Sequence, residues 1–155
     1  MRPADRMSDV IERHTLHGEF TLSSGGTRNT YIDLRSAVLC DRCAPWVRDY
    51  YRAGIEDACQ GITNRIVVVA TGSFGALLLS LLGPAYPRLL WNPKGHGVEW
   101  SGLTSGATHA VLVDDIVTTG ATLGALRAAT QRRGLKVLGY VAASAHGEQT
   151  GKGSE

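Results

Sequence analysis

Four short apolar runs alternate with helix-length segments, and this alternation constrains the fold more than any other feature of the chain. They occupy residues 65–70 (RIVVVA), 88–91 (RLLW), 110–114 (AVLVD) and 136–143 (KVLGYVAA). Each is a run of the kind buried on both faces of a parallel sheet. Between them the spacing predicts helices over 75–82 and 122–133, the second stopped by Gly134. This is the β-α-β grammar of a doubly wound α/β sheet, mostly parallel and flanked by helices. In such sheets ligands bind beyond the carboxyl ends of the strands.

The first third of the chain reads differently. Met7, Val10, Ile11 and His14 recur at helical spacing over 5–14, which predicts a lid or packing helix. Apolar and polar residues alternate on either side of a turn-rich stretch at 23–29, predicting two short strands joined by a loop that can touch a ligand. Trp46, Val47, Tyr50, Tyr51, Ile55 and Ala58 mark one face of a helix over 41–60, with Asp41 as its N-cap and Gly61 as its stop.

At 155 residues the chain is sized for one domain. We place that domain at 1–147, with hood elements over 1–36 and a core over 37–147, followed by a flexible tail at 148–155. Apolar residues at 43% and charged residues at 19% exclude the composition of a disordered segment. A net charge of +2 with scattered basic residues gives no argument for a nucleic-acid partner. No apolar run is long enough to span a bilayer and the charged N-terminus does not read as a signal peptide, so a cytoplasmic protein is expected. Cys40 and Cys43 form a CxxC without a second ligand pair, and read as reduced thiols near a helix start, a redox or metal role being the alternative.

The chemistry concentrates where the third apolar run ends. Asp114 and Asp115 are followed by Ile116, Val117, Thr118, Thr119, Gly120, Ala121 and Thr122, and then by an amphipathic helix. Backbone N–H groups of a glycine-containing turn, hydroxyls and the positive end of a helix dipole would converge there on a phosphate. Two carboxylates repel a phosphate but suit a ribose diol, which offers two donors. A second strand-to-helix turn, Thr71-Gly72-Ser73-Phe74-Gly75, supplies another anion site. A third stretch at 92–102 is glycine-rich, carries Lys94 and His96, and reads as a mobile loop.

VLVDDIVTTGAT at 111–122 resembles the motif with which type I phosphoribosyltransferases bind 5-phosphoribosyl-1-pyrophosphate (PRPP). Thr71, Gly72 and Ser73 are similar to the pyrophosphate loop of that family. PKGHG at 93–97, with FTLSSG at 20–25 and YIDLR at 31–35, is similar to the orotate enzymes within it. The resemblance implies a phosphoribosyltransferase fold with an N-terminal hood hairpin, and transfer of ribosyl phosphate from PRPP to a nucleobase, orotate first, with Mg²⁺ bound through PRPP. It implies that Asp114, Asp115, Val117, Thr118, Thr119, Gly120, Ala121 and Thr122 bind PRPP, and that Lys94, His96 and Asp115 serve catalysis. Ser24, Gly25, Arg28, Tyr31 and His146 would face the base, and a homodimer is expected. Leu90 and Trp91 stand where the orotate enzymes carry an Arg-Lys pair, and Ala145 and His146 where they carry Asp-Arg. A transferase for another base, or a PRPP-binding regulatory protein without turnover, are the alternatives.

Overall fold

The computed structural model describes residues 2–21, 25–59, 61–62, 65–94, 97–103, 106–117, 120–144 and 147–152. Helix α1 (Pro3–Arg13) leads into the antiparallel pair β1 (Thr15–Thr21) and β2 (Thr27–Ile32), then α2 (Leu34–Leu39) and α3 (Ala44–Cys59). A six-stranded sheet follows, built from β3 (Ile66–Thr71), β4 (Arg88–Trp91), β5 (Trp100–Ser101), β6 (His109–Ile116), β7 (Lys136–Ser144) and β8 (Gly147–Lys152). Helix α4 (Gly72–Leu82) joins β3 to β4, and α5 (Ala121–Arg132) joins β6 to β7. The strand order is β5-β4-β3-β6-β7-β8, parallel through β4, β3, β6 and β7 and antiparallel at both edges.

Two buried clusters follow from the period-two alternation of the central strands. Val68, Ala70, Val111, Val113 and Val141 face α1 to α4, where Met7, Val47, Tyr51, Ile55 and Leu78 complete one core. Val67, Val69, Ala110 and Leu112 face the other way, onto Leu123 and Leu126 of α5. Helices on both faces of a mostly parallel sheet make the fold doubly wound, as the spacing predicts. No helix among the described residues is long and apolar enough to cross a membrane.

Several boundaries differ from the sequence expectation, each for a local reason. The six-residue α2 was not expected. Its N-cap is Asp33, whose carboxylate accepts from the Ser36 N–H (3.2 Å) and the Ser36 hydroxyl (2.6 Å), while Leu34, Ala37 and Val38 are buried. Asp41 therefore lies in the turn between two helices and does not cap α3, which opens at Ala44. Helix α4 starts at Gly72 with no intervening loop at 71–75, because Gly72 takes a φ of +77° and Gly75 lies where a Cβ would meet that of Ala70 at 3.0 Å. The stretch 92–102, expected as a mobile loop, is closed at its base by β4 and β5. The Asn92 N–H donates to the Glu99 carbonyl at 2.6 Å and the Trp91 and Trp100 rings lie 6.4 Å apart. Residues 147–152, placed mostly in the expected tail, add β8 along β7, which covers what would be an open strand edge.

Candidate active site

The chain leaves β3 toward β4 on one side and leaves β6 toward β7 on the other, so a crevice opens between the carboxyl ends of β3 and β6. A cleft of about 290 Å³ occupies it. One wall is the β3–α4 junction (Thr71, Gly72, Ser73) with Arg35 of α2 beside it, the floor is Asp114 and Asp115, and Tyr31 of β2 also lines the cleft.

Asp114 lies on β6 itself, which runs two residues past the expected end, to Ile116, through an irregularity in its register with β7. Only 9% of the residue is exposed. Burial, and then the neighbouring charge of Asp115, push the Asp114 carboxyl up to about 7, although its Oδ1 accepts the Asp115 N–H at 2.8 Å, a contact that favours the charged form. From behind, Tyr51 of α3 donates its hydroxyl to the Asp114 carbonyl at 2.6 Å. Burial foremost, and then the charges of Tyr50, Asp115 and Asp114, hold that phenol well above its ordinary pKa, so it stays a donor.

Two helix starts point at this crevice. Gly120, with a φ of +80°, turns the chain into the twelve-residue α5, and a hollow of about 30 Å³ lies between Asp114, Val117, Gly120, Ala121 and Thr122. The positive end of a helix dipole favours an anion there. On the other wall α4 begins at Gly72. The Thr71 hydroxyl is committed to the Trp91 carbonyl at 2.8 Å, tying β3 to β4, while the Arg35 guanidinium comes to 3.5 Å of the Ser73 hydroxyl, a long contact with most donors left over.

No established protein-family profile matches the chain. It is 30% identical over 135 residues to the orotate phosphoribosyltransferase of Porphyromonas gingivalis, covering 83% of this chain and 62% of that one. To the orotate phosphoribosyltransferase of Pyrobaculum aerophilum it is 33% identical over 132 residues, covering 80% and 65% respectively. The chain thus spans less than two thirds of the length of these relatives. The crystal structure of Mycobacterium tuberculosis orotate phosphoribosyltransferase in complex with PRPP matches with a TM-score of 0.62 at 19% identity, over 92% of this chain and 82% of that one. The fold is that of the phosphoribosyltransferases. In sequence the similarity is to their orotate members.

Of the residues assigned from the phosphoribosyltransferase resemblance, Tyr31, Thr71, Gly72, Ser73, Asp114, Asp115 and Thr122 line the cleft together, and Val117, Gly120 and Ala121 line the adjoining hollow. Lys94 is exposed near the tip of the β4–β5 hairpin, and Gly25 and Arg28 are exposed on the hood; none of the three lines the cleft. Ser24, His96, Thr118, Thr119 and His146 lie outside the described residues. Sequence reasoning missed Arg35, the one cation among the described residues lining the cleft, and Tyr51 behind the floor. Arg35 stands in the YIDLR segment, so its signal was a cation four residues after Tyr31; Tyr51 carried none beyond a place on the buried face of α3.

Proposed function

We propose that the chain is a PRPP-dependent phosphoribosyltransferase that converts orotate and PRPP to orotidine 5′-monophosphate and pyrophosphate, a step of pyrimidine nucleotide synthesis. The observation that carries this reading is the acid pair Asp114–Asp115 set between two helix starts at the switch point of the sheet. The identity to orotate enzymes supports the choice of base.

In this reading the ribose 2′- and 3′-hydroxyls donate to Asp114 and Asp115. The 5′-phosphate sits at the start of α5, held by Val117, Thr118, Thr119, Gly120, Ala121 and Thr122. Pyrophosphate rests on Thr71, Gly72 and Ser73 at the start of α4, with Arg35 beside it, and Tyr31 offers a ring face to the base, with Ser24, Gly25, Arg28 and His146 around it. Breaking the C1′–oxygen bond builds positive charge on the ribose and negative charge on the leaving group, so the work is electrostatic. The carboxylates stabilise the first charge; Arg35, the α4 N-terminus, and Lys94 with His96 on a closing hairpin stabilise the second and exclude water.

The oxygen donors of Asp114, Asp115, Ser73 and Thr122 suit magnesium carried in on PRPP. Among the described residues no three acidic, histidine or cysteine groups form a protein cage for a metal, so its remaining ligands would be substrate oxygens and water. When bound, the ion neutralises part of the leaving pyrophosphate. A cytoplasmic homodimer fits the reading, Leu39, 72% exposed beside Ala76 and Leu77 of α4, offering a place for the second copy.

Orotate absorbance followed with PRPP and Mg²⁺ tests the proposal. Loss of orotate with release of pyrophosphate is expected. PRPP binding by calorimetry without turnover on orotate or any free base would instead mark a regulatory binder.

A further inference from the structure

The reaction proposed above makes no use of Cys40-Asp41-Arg42-Cys43, yet this stretch has a geometry of its own. Cys40 closes α2, its N–H on the Ala37 carbonyl at 3.2 Å. Cys43 stands just before α3, its carbonyl taking the Trp46 and Val47 N–H groups at 3.0 Å each. Between them the Ala44 N–H reaches the Cys40 carbonyl at 2.9 Å and closes a single turn. A turn of that kind sets Cα atoms three residues apart at about 5 Å, inside the range of roughly 4.4–6.8 Å that a disulfide bridges.

The two thiols are also unequal. Cys40 is partly buried, with some access to solvent, and Cys43 is only 2% exposed. The backbone N–H of Cys43 foremost, and then that of Arg42 and the Cys43 thiol, favour the Cys40 thiolate and hold Cys40 below the ordinary thiol range, against its partial burial and the nearby Asp41 carboxylate. Burial first, and then donation to Cys40, hold the Cys43 thiol above that range, with Arg13 of α1 the opposing charge. Cys59 lies in the core at the end of α3, its thiol raised by burial and then by Glu56. Thiolate character and access together select the sulfur that attacks.

We propose that Cys40 and Cys43 are a redox-active dithiol that takes small-molecule disulfides as oxidants, Cys40 being the attacking sulfur and Cys43 the resolving one. The Cys40 thiolate, its proton already lost to solvent, attacks one sulfur of RS–SR, forms Cys40–S–SR and expels RS⁻. The Cys43 thiol then gives its proton to solvent, and its sulfur attacks that of Cys40, forming the intramolecular disulfide and expelling the second RS⁻. The two expelled thiolates take up the two protons. One protein dithiol is oxidised and one disulfide is reduced to two thiols.

The test is exposure of the reduced full chain to oxidised glutathione, followed by intact mass and peptide mapping. The wild type is expected to lose two hydrogens with a Cys40–Cys43 bridge and no lasting adduct, Cys40 reacting at least about tenfold faster than Cys59. Cys43→Ala is expected to stop at one glutathione on Cys40, and Cys40→Ser to remain largely unmodified. A lasting adduct on the wild type, Cys59 modified as fast as Cys40, or wild-type oxidation rates in Cys40→Ser would each overturn the proposal. Because Cys43 is buried and its variant can lose stability, the wild-type map decides the matter without it.

Discussion

Replacing Asp114 by asparagine should make the free protein more stable at pH 8, at the cost of its proposed function. The carboxyl is nearly buried and pushed up to about 7, chiefly by loss of hydration and then by Asp115. In the unfolded chain the same group sits near 3.8. The folded state therefore holds the proton more tightly. The contribution of Asp114 to stability is fully present below about pH 3.8, declines as pH rises through 7, and is lost above it. A gap of about 3 units at roughly 1.4 kcal/mol per unit gives about 4 kcal/mol as a ceiling, which relaxation around the buried charge lowers to about 1–3 kcal/mol.

Asparagine keeps an oxygen for the Asp115 N–H and has no charge to desolvate. Urea unfolding of wild type and Asp114→Asn, without ligands, at pH 8 and pH 4.5 measures the effect. The variant should be more stable by that amount at pH 8, with most of the gain gone at pH 4.5. An equal difference at both values, or a variant less stable at pH 8, would refute the account of a strained buried carboxylate. A residue kept at a stability cost in the floor of a cleft is the expected signature of a group retained for binding.

Tyr51→Phe keeps the ring in place but leaves the Asp114 carbonyl without its 2.6 Å donor; a loss of about 1–3 kcal/mol in denaturant unfolding is expected. Gly54→Ala would bring a Cβ to 2.6 Å from Cγ1 of the buried Val141, so α3 must move off β7, lowering stability by about 1–3 kcal/mol, read as a fall in Tm. Arg35→Ala, at an exposed residue, should leave Tm within about 1 °C while weakening PRPP binding about tenfold or more in calorimetry. Binding of Mg²⁺–PRPP to ionised Asp114 should release about half a proton at pH 7 and up to one below it, and affinity should fall about tenfold per unit well below that pH; binding heats in buffers of different ionisation enthalpy count the proton.

The central sheet was legible because Ile66, Val67, Val68 and Val69 leave no periodicity other than that of a strand buried on both faces, and the same holds for Ala110 to Val113. The position of Asp114 and Asp115 followed, since the end of a strand before a glycine turn is fixed by the chain itself. What stayed hidden depends on contacts between distant segments. Helix α2 is too short to show a period and owes its start to one capping carboxylate, Asp33, so the direction in which it presents Arg35 was not readable. Strand β5 has two residues, and glycines around it mask a hairpin held by Trp91 against Trp100. Tyr51 looks like any other apolar residue of α3 until β6 is folded beneath it.

Leu90 and Trp91, where the chain departs from the orotate pattern, serve packing instead of charge. Leu90 packs against the core on the α4 side of the sheet and Trp91 against the core on the α5 side. Trp91 also donates its indole N–H to Glu99 at 3.3 Å, and Arg133 lies 5.1 Å from the ring centre of Trp100. These positions hold the hairpin to the sheet and bring no charge to the cleft, so the positive charge facing a pyrophosphate must come from elsewhere. Among the described residues that line the cleft it comes from Arg35 alone, set against two carboxylates. A cleft with that balance repels a free polyanion and accepts one whose charge is already partly neutralised. Under the proposed function, dependence on magnesium follows from the lining itself, and Arg35 carries the role that a pair of cations preceding the PKGHG segment would otherwise share.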